Sequence, residues 1–503
     1  MILVPVLLTL LFFVVILLLA VWGLRRTSNV NDFFLGGHTL GAWFLAFSYG
    51  TAYFSAVIFV GFAGKFGWQF GLDALWVGIG NAIIGSGLAW IVLGKRTRRM
   101  THNLNVQTMP EFFAARYETN GMKIIAALII FIFLAPYSAS VFTGLSYLFE
   151  IVFGRRVSFN VVLTVISAIS FVYVTCGGYK AIARIDFVQG LIMFGGSLLM
   201  VYAVAKDYGG ISAAATEVSK NLAERIARDE IKSPAWFILP SVVFMTSVGV
   251  WGLPQMVHKY YAIRDENEIK RGAVITTVFA LVIGCAAYFT GAMTHLIEAD
   301  KIPKTAIGGV NFDQLVPDMV ASHLPYVLLA VILLLVLSAS LSTLSSLVLV
   351  SSSAITIDLY KGYFNPKASN SNELFLMRLL CGVFILISYL IALFKPAWIV
   401  SLMSISWGAV AGSFLAPYLY GLFWKRTTKA GAYAGMLTGL LVSNGLYWYW
   451  FFTDSPADAG AKSPLAASIA MIIPLVVVPA ISLITSPPKQ ETIQKAFNVT
   501  SKN

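Results

Sequence analysis

The chain has 503 residues, 58% of them hydrophobic and only 12% charged, with a mean hydropathy of +0.80. That composition excludes an ordinary soluble domain. The formal net charge of +12 sits in short basic clusters between apolar runs, which is a topology signal and not a nucleic-acid one.

Apolar runs near the length of about 20 residues that crosses a bilayer recur from end to end. They predict an all-α polytopic membrane protein with about thirteen spans. The centres fall near Leu11, Phe54, Ile83, Ile132, Ile166, Met193, Phe244, Phe279, Leu333, Phe384, Val410, Leu440 and Ile473. Met1 to Leu24 lacks the basic start of a signal peptide and is long enough to span, so it reads as a retained first helix. With the N-terminus outside, Arg25-Arg26, Lys95-Arg96-Thr97-Arg98-Arg99, Lys180 with Arg184, Lys259 with Arg264, Lys270 and Arg271, and Lys425-Arg426 with Lys429 all fall in inside loops. The positive-inside rule then also places the C-terminus in the cytoplasm. Cys176, Cys285 and Cys381 lie in or at the ends of apolar runs, without metal or disulfide spacing, and read as small buried hydrophobes.

Two spans are interrupted. The second carries Ser48-Tyr49-Gly50-Thr51-Ala52-Tyr53-Phe54-Ser55, and the seventh carries Gly249, Gly252 and Pro254 with Gln255. Broken helices at membrane depth are tolerated only where protein or a water-filled cavity surrounds them. Their separation by five spans predicts two inverted five-helix repeats, residues 31–206 and 207–424. An extra helix (1–30) precedes them. Two further helices (425–487) and a polar, mobile tail (488–503) follow.

The ninth span is unlike a structural one. Ser338 to Ser353 holds eight serines and Thr343. Ser338, Ser342, Ser345 and Ser346 share one helix face, with Thr343 one step round. Such hydroxyls can bond back to their own helix or let helices pack closely. They also offer the neutral oxygens that a hard cation prefers.

Several motifs carry a resemblance. Asp32-Phe33-Phe34-Leu35-Gly36-Gly37 precedes the broken second span. Gly177-Gly178-Tyr179-Lys180-Ala181 leads to Asp186 and Gln189, and Gly252-Leu253-Pro254-Gln255 follows. Leu341-Ser342-Thr343-Leu344-Ser345-Ser346 runs into Ser353-Ala354-Ile355-Thr356-Ile357-Asp358-Leu359-Tyr360. Together, over roughly Asn31 to Arg426, the chain resembles the sodium:solute symporter family, near its bacterial proline and pantothenate permease branches. The resemblance implies a LeuT-type inverted repeat in the cell membrane. It implies a Na⁺ site built from the carbonyls of Thr51, Phe54 and Ala339 and the hydroxyls of Ser342 and Thr343. A second Na⁺ site would use Asp186, Ser342, Ser345 and Ser346, as in some members. Asp186 also suits a helix N-terminus, where the dipole favours an acid.

The solute is expected beside the breaks, contacted by Tyr53, Ser55, Ile58, Trp76, Asn81, Tyr137, Ser140, Thr246, Val250, Ser404 and Trp407. Ile58 stands where sugar-carrying relatives have an amide, and unpaired sugar hydroxyls are costly, so sugar is disfavoured. Tyr53, Thr246 and Val250 depart from the proline branch, whereas Tyr137-Ser138-Ala139-Ser140 resembles it. An amino acid or small carboxylate fits this pattern. Lys65, in the second span, is placed either to meet a solute carboxylate or to snorkel to the outer surface, and snorkelling is the expected reading.

The function expected is sodium-coupled import of a small organic solute by alternating access, with Na⁺, solute and lipid as the only partners implied. A proton-coupled carrier using Asp186, or a non-transporting solute sensor, are the alternatives. No catalytic motif or cluster of metal-ligand spacing argues for an enzyme.

Overall fold

The computed structural model describes residues 3–24, 33–34, 41–231, 235–305, 308–395 and 397–497. Arg25-Arg26 and, of the motif Asp32 to Gly37, all but Phe33 and Phe34 lie outside the described residues. Among the described residues there are helices and no strands, only one isolated bridge between Lys304 and Val310. Helices satisfy every backbone polar group within one segment, which is what a bilayer demands.

The helices run α1 Leu3–Leu24, α2 Ala42–Tyr53, α3 Ala63–Phe70, α4 Leu75–Gly80, α5 Lys95–Leu104, α6 Met109–Tyr117, α7 Asn120–Val152 and α8 Phe159–Ala205. Then follow α9 Ile211–Ala227, α10 Ile238–Val248, α11 Pro254–Ala262, α12 Asn267–Ala292, α13 Phe312–His323, α14 Tyr326–Ser353 and α15 Asn370–Phe394. The chain ends with α16 Ile399–Phe423, α17 Lys429–Thr453, α18 Pro456–Ile484 and α19 Gln490–Phe497. Between α4 and α5 the helix continues in wide π turns.

Among the described residues, ten helical segments are long and apolar enough to span, or eleven if the bent pair around Leu253 is one span. Every one of the thirteen expected centres falls in a helix or at a helix break. The difference arises because α3, α4 and α5 run together as one segment, 57–104, and because α17, rich in Gly and Tyr and carrying Asn444, is not among the ten.

Both expected breaks are present. Phe54 is extended (φ −108°, ψ 132°) after α2, and the helix resumes with π turns at Val57–Phe62. Leu253 is extended (φ −86°, ψ 121°) between the short 3-10 turn Gly249–Gly252 and α11, with a 45° bend. Pro254 takes the first position of α11, where its missing N–H costs nothing. A third break lies inside α8, at Gly178 (φ 64°, ψ 163°), a backbone that favours glycine. It divides α8 into the two spans centred near Ile166 and Met193.

The serine-rich helix α14 is the central post. It packs on α7, α8, α2 and α1, and every residue from Leu335 to Ala354 is buried. α1 turns Leu7, Leu10, Leu11 and Leu18 outward. α12 closes the other side of α2, and its backbone touches those of α3 and α4 directly. A Cβ on Gly291 would overlap the Ala63 carbonyl, one on Gly67 would overlap the Gly291 backbone, and one on Gly78 would fall 2.7 Å from the Gly284 carbonyl carbon.

Three expectations are corrected. The tail contains α19, docked on α5: the Asn103 side chain donates to the Ala496 carbonyl at 3.2 Å, and Arg116 lies over the Phe497 ring. Lys259 is buried in α11, beside the buried His258, and not in a loop, because α11 is the second half of a broken helix. Lys65 does not snorkel. It is 6% exposed, packs on Phe66 and lies in the field of buried Asp313 on α13.

Candidate functional site

The last turn of α2 leaves carbonyls without intrahelical partners, as any helix end does. At this break α14 supplies hydroxyls to meet them. Ser342 Oγ lies 3.0 Å from the Thr51 carbonyl and 2.9 Å from the Ala339 carbonyl. Thr343 Oγ1 lies 3.4 Å from the Thr51 carbonyl, 3.4 Å from that of Phe54 and 3.0 Å from that of Ala339. These five residues, all fully buried, bring five neutral oxygens around one point. No full charge is part of the set, so a monovalent hard cation there would add one charge and find only dipoles.

The other side of the break is held by the same helix. Ser340 Oγ accepts the Ala56 N–H at 2.9 Å, and Ser55 caps its own following turn through Val57 N–H at 3.2 Å. Sequence reasoning did not single out Ser340. Its spacing from Ser342, on the opposite edge of the same hydroxyl run, was the available signal.

The set expected for a second ion is brought together only in part. Asp186 is fully buried and accepts from Ser48 Oγ at 2.5 Å. Ser345 Oγ is turned back to the Ser342 carbonyl at 2.9 Å. Ser346 Oγ accepts from the Lys259 ammonium at 3.1 Å, and the same ammonium donates to Ser48 Oγ at 2.9 Å. Lys259 went unrecognised because it was counted among inside-loop charges. A signal existed: at about 1.5 Å per residue, a lysine five positions past Pro254 stays within about 8 Å of a mid-membrane break.

Ten of the eleven expected solute contacts are buried. Tyr53 is buried and donates to the Thr246 carbonyl at 2.6 Å. Tyr137 and Trp407 meet edge to face at 5.9 Å, and both are buried. Ser55, Ile58 and Val250 are buried as well. Asn81 is buried and accepts from Ser247 at 3.2 Å. The hydroxyls of Ser140, Thr246 and Ser404 donate to carbonyls of their own helices, those of Tyr137, Val242 and Val400 at 2.6, 2.8 and 2.7 Å. Trp76 is a correction: it is 59% exposed and faces away, as amphipathic rings do in interfacial belts.

On the far side of α11, Asp358 is buried and accepts from Thr108 Oγ1 at 2.7 Å, with the Lys123 ammonium at 3.7 Å. Thr108 also caps α6 through the Glu111 N–H at 3.1 Å. Asp358, Thr108, Pro254 and His258 border a small cavity of about 10 Å³.

The model of the sodium:solute symporter family matches residues 33–439. The osmoregulated proline transporter OpuE of Bacillus subtilis is 29% identical over 456 residues, covering 87% of this chain and 89% of the relative. The sodium/proline symporter of Escherichia coli is 27% identical over 420 residues, covering 83% and 82%. Among solved structures, a Na⁺-coupled sialic acid symporter in its substrate-bound outward-open state superposes with a TM-score of 0.72 at 18% identity, covering 97% of this chain and 98% of that one. The nucleobase-cation-symport-1 family transporter Mhp1 superposes with a TM-score of 0.51 at 12% identity, covering 92% and 97%. At those identities the likeness is one of fold.

Proposed function

The chain belongs to the sodium:solute symporter family, and from that premise we propose that Thr51, Phe54, Ala339, Ser342 and Thr343 bind the Na⁺ that drives solute import. The observation that carries this reading is the convergence of the α2 break carbonyls and the two α14 hydroxyls. An unwound helix offers carbonyls that a coupling ion can use, and α14 supplies the remaining oxygens from a different packing unit. Sodium there ties α2 to α14. It favours whichever arrangement keeps the two together, since an ion shifts an equilibrium only by its differential affinity.

The solute is an amino acid, with proline the first to test. Curated relatives such as OpuE are proline transporters, and the buried side chains of Tyr53, Tyr137, Val250 and Trp407 would suit a compact, partly apolar molecule. Residues 31–206 and 207–424 act as the inverted repeats, with the N-terminus outside and the C-terminus cytoplasmic. The driving force is sufficient: one charge crossing about 100 mV supplies about 2.3 kcal/mol, and a tenfold gradient adds about 1.4 kcal/mol.

The test is uptake of labelled L-proline, and of other amino acids and short carboxylates, into proteoliposomes under a Na⁺ or a K⁺ gradient. Uptake of one class in Na⁺ only, lost on collapsing the sodium gradient, is expected. Equal uptake in both salts, or none with any compound, refutes the reading.

A further inference from the structure

The second ion position is where the chain itself places a cation. Lys259 is 1% exposed. Its ammonium donates to Ser48 Oγ at 2.9 Å and Ser346 Oγ at 3.1 Å, and lies 5.1 Å from the Tyr179 ring centre. The Ser48 hydroxyl passes the contact on, donating to Asp186 Oδ2 at 2.5 Å. Asp186, Ser48, Ser346 and Tyr179 come from α8, α2 and α14, so the ammonium joins three packing partners from α11. Of the oxygens expected for a second sodium, one carboxylate oxygen is linked to the ammonium through Ser48 and one hydroxyl is taken by Lys259 directly. The hydroxyls of Ser342 and Ser345 are turned to backbone carbonyls.

We propose that Lys259 is a tethered replacement for a second sodium, so that this carrier moves one Na⁺ per solute and Asp186 serves as the fixed counter-ion of the lysine. A buried carboxylate needs a positive partner. A covalently held ammonium provides it with three donors and one charge. A free cation entering beside it would meet like charge in a medium of low dielectric, which disfavours it strongly.

The inference rests on the sodium symport reading above. The experiment measures the ratio of ²²Na⁺ to labelled solute entering proteoliposomes, with the sodium dependence of initial rate. The wild type is expected to give a ratio of one and a hyperbolic sodium curve. Lys259→Met, which frees Asp186 and Ser346, is expected to raise the ratio toward two and make the curve sigmoidal. Lys259→Arg is expected to keep both at the wild-type form. A wild-type ratio of two overturns the assignment, as does a folded, transporting Lys259→Met that keeps a ratio of one. Should Lys259→Met not fold, the wild-type ratio decides alone, one supporting and two overturning. Wild-type uptake indifferent to sodium would instead refute the symport reading itself, so the two failures are distinct.

Discussion

Ser342→Ala is the sharpest probe of the ion site. It deletes one of five neutral oxygens, a fully buried hydroxyl within 3.0 Å of the Thr51 carbonyl and 2.9 Å of the Ala339 carbonyl. Losing a buried polar partner costs about 1–3 kcal/mol. If that cost falls on the sodium-bound form, the half-saturating sodium concentration rises about 5- to 150-fold, since about 1.4 kcal/mol is tenfold. The maximal rate at saturating sodium is expected to change far less, because the solute wall is untouched. Ser352→Ala is the matched control: it removes a buried hydroxyl from the same helix, but one that donates to the Val348 carbonyl at 2.6 Å, away from the α2 break. The assay is initial solute uptake against sodium concentration for the three proteins, with thermal unfolding to verify folding. A shift of less than about twofold in folded Ser342→Ala, or an equal shift in the control, would refute the site, because a ligand worth about 1 kcal/mol cannot be lost silently.

Other consequences can be checked in the same preparations. Ser340→Ala strands the buried Ala56 N–H, which it accepts at 2.9 Å, and should lower stability by about 1–3 kcal/mol in chemical or thermal unfolding. Gly291→Ala puts a methyl into the Ala63 carbonyl, an overpacking expected to cost about 1–3 kcal/mol or more and to reduce the yield of folded protein. Burial pushes the Asp313 carboxyl, on α13 outside the spanning helices, up to about 7, partly offset by the Ile399 N–H and Lys65. A pKa raised above the unfolded value of about 4 gives stability that is full at low pH and is lost as pH rises toward about 7. The thermal midpoint of the wild type relative to Asp313→Asn should therefore fall across that window, and a flat difference would contradict it.

Parts of this architecture could be read from the chain because their chemistry is out of place in lipid. Eight serines in one span, and Gly-Leu-Pro-Gln at mid-depth, have no role on a lipid-facing helix, so their positions announced the hydroxyl post and the break at Leu253. Lys259 was hidden by the same bookkeeping that gave the topology, since counting cations by loop assumes every span is continuous. A span broken at Leu253 carries its second half deeper into the protein than a loop count allows. Lys65 misled for a related reason: snorkelling needs a free path to water, and α13 covers it with Asp313. Trp76 was unreadable because its direction depends on which side of the helix meets α12, and the close glycine contact at Gly78 turns that side inward and Trp76 outward. The helix in the tail was masked by polarity, its apolar anchor being little more than Ala496 and Phe497.

The glycine contacts along α12 have a mechanical meaning. Gly284 and Gly291 are two helical turns apart, about 10 Å along the axis, and each meets the backbone of a different neighbour, the helix of Gly78 and α3. Main chain against main chain leaves no side chain between them that could change rotamer and let the surfaces slide. Those segments therefore form one lever, stiff in shear. Motion has to be taken up at the joints Phe54 and Leu253, where the backbone is already extended. Distances measured between spin labels on α3 and α12 would stay constant through a transport cycle, while those from α3 to α14 would change.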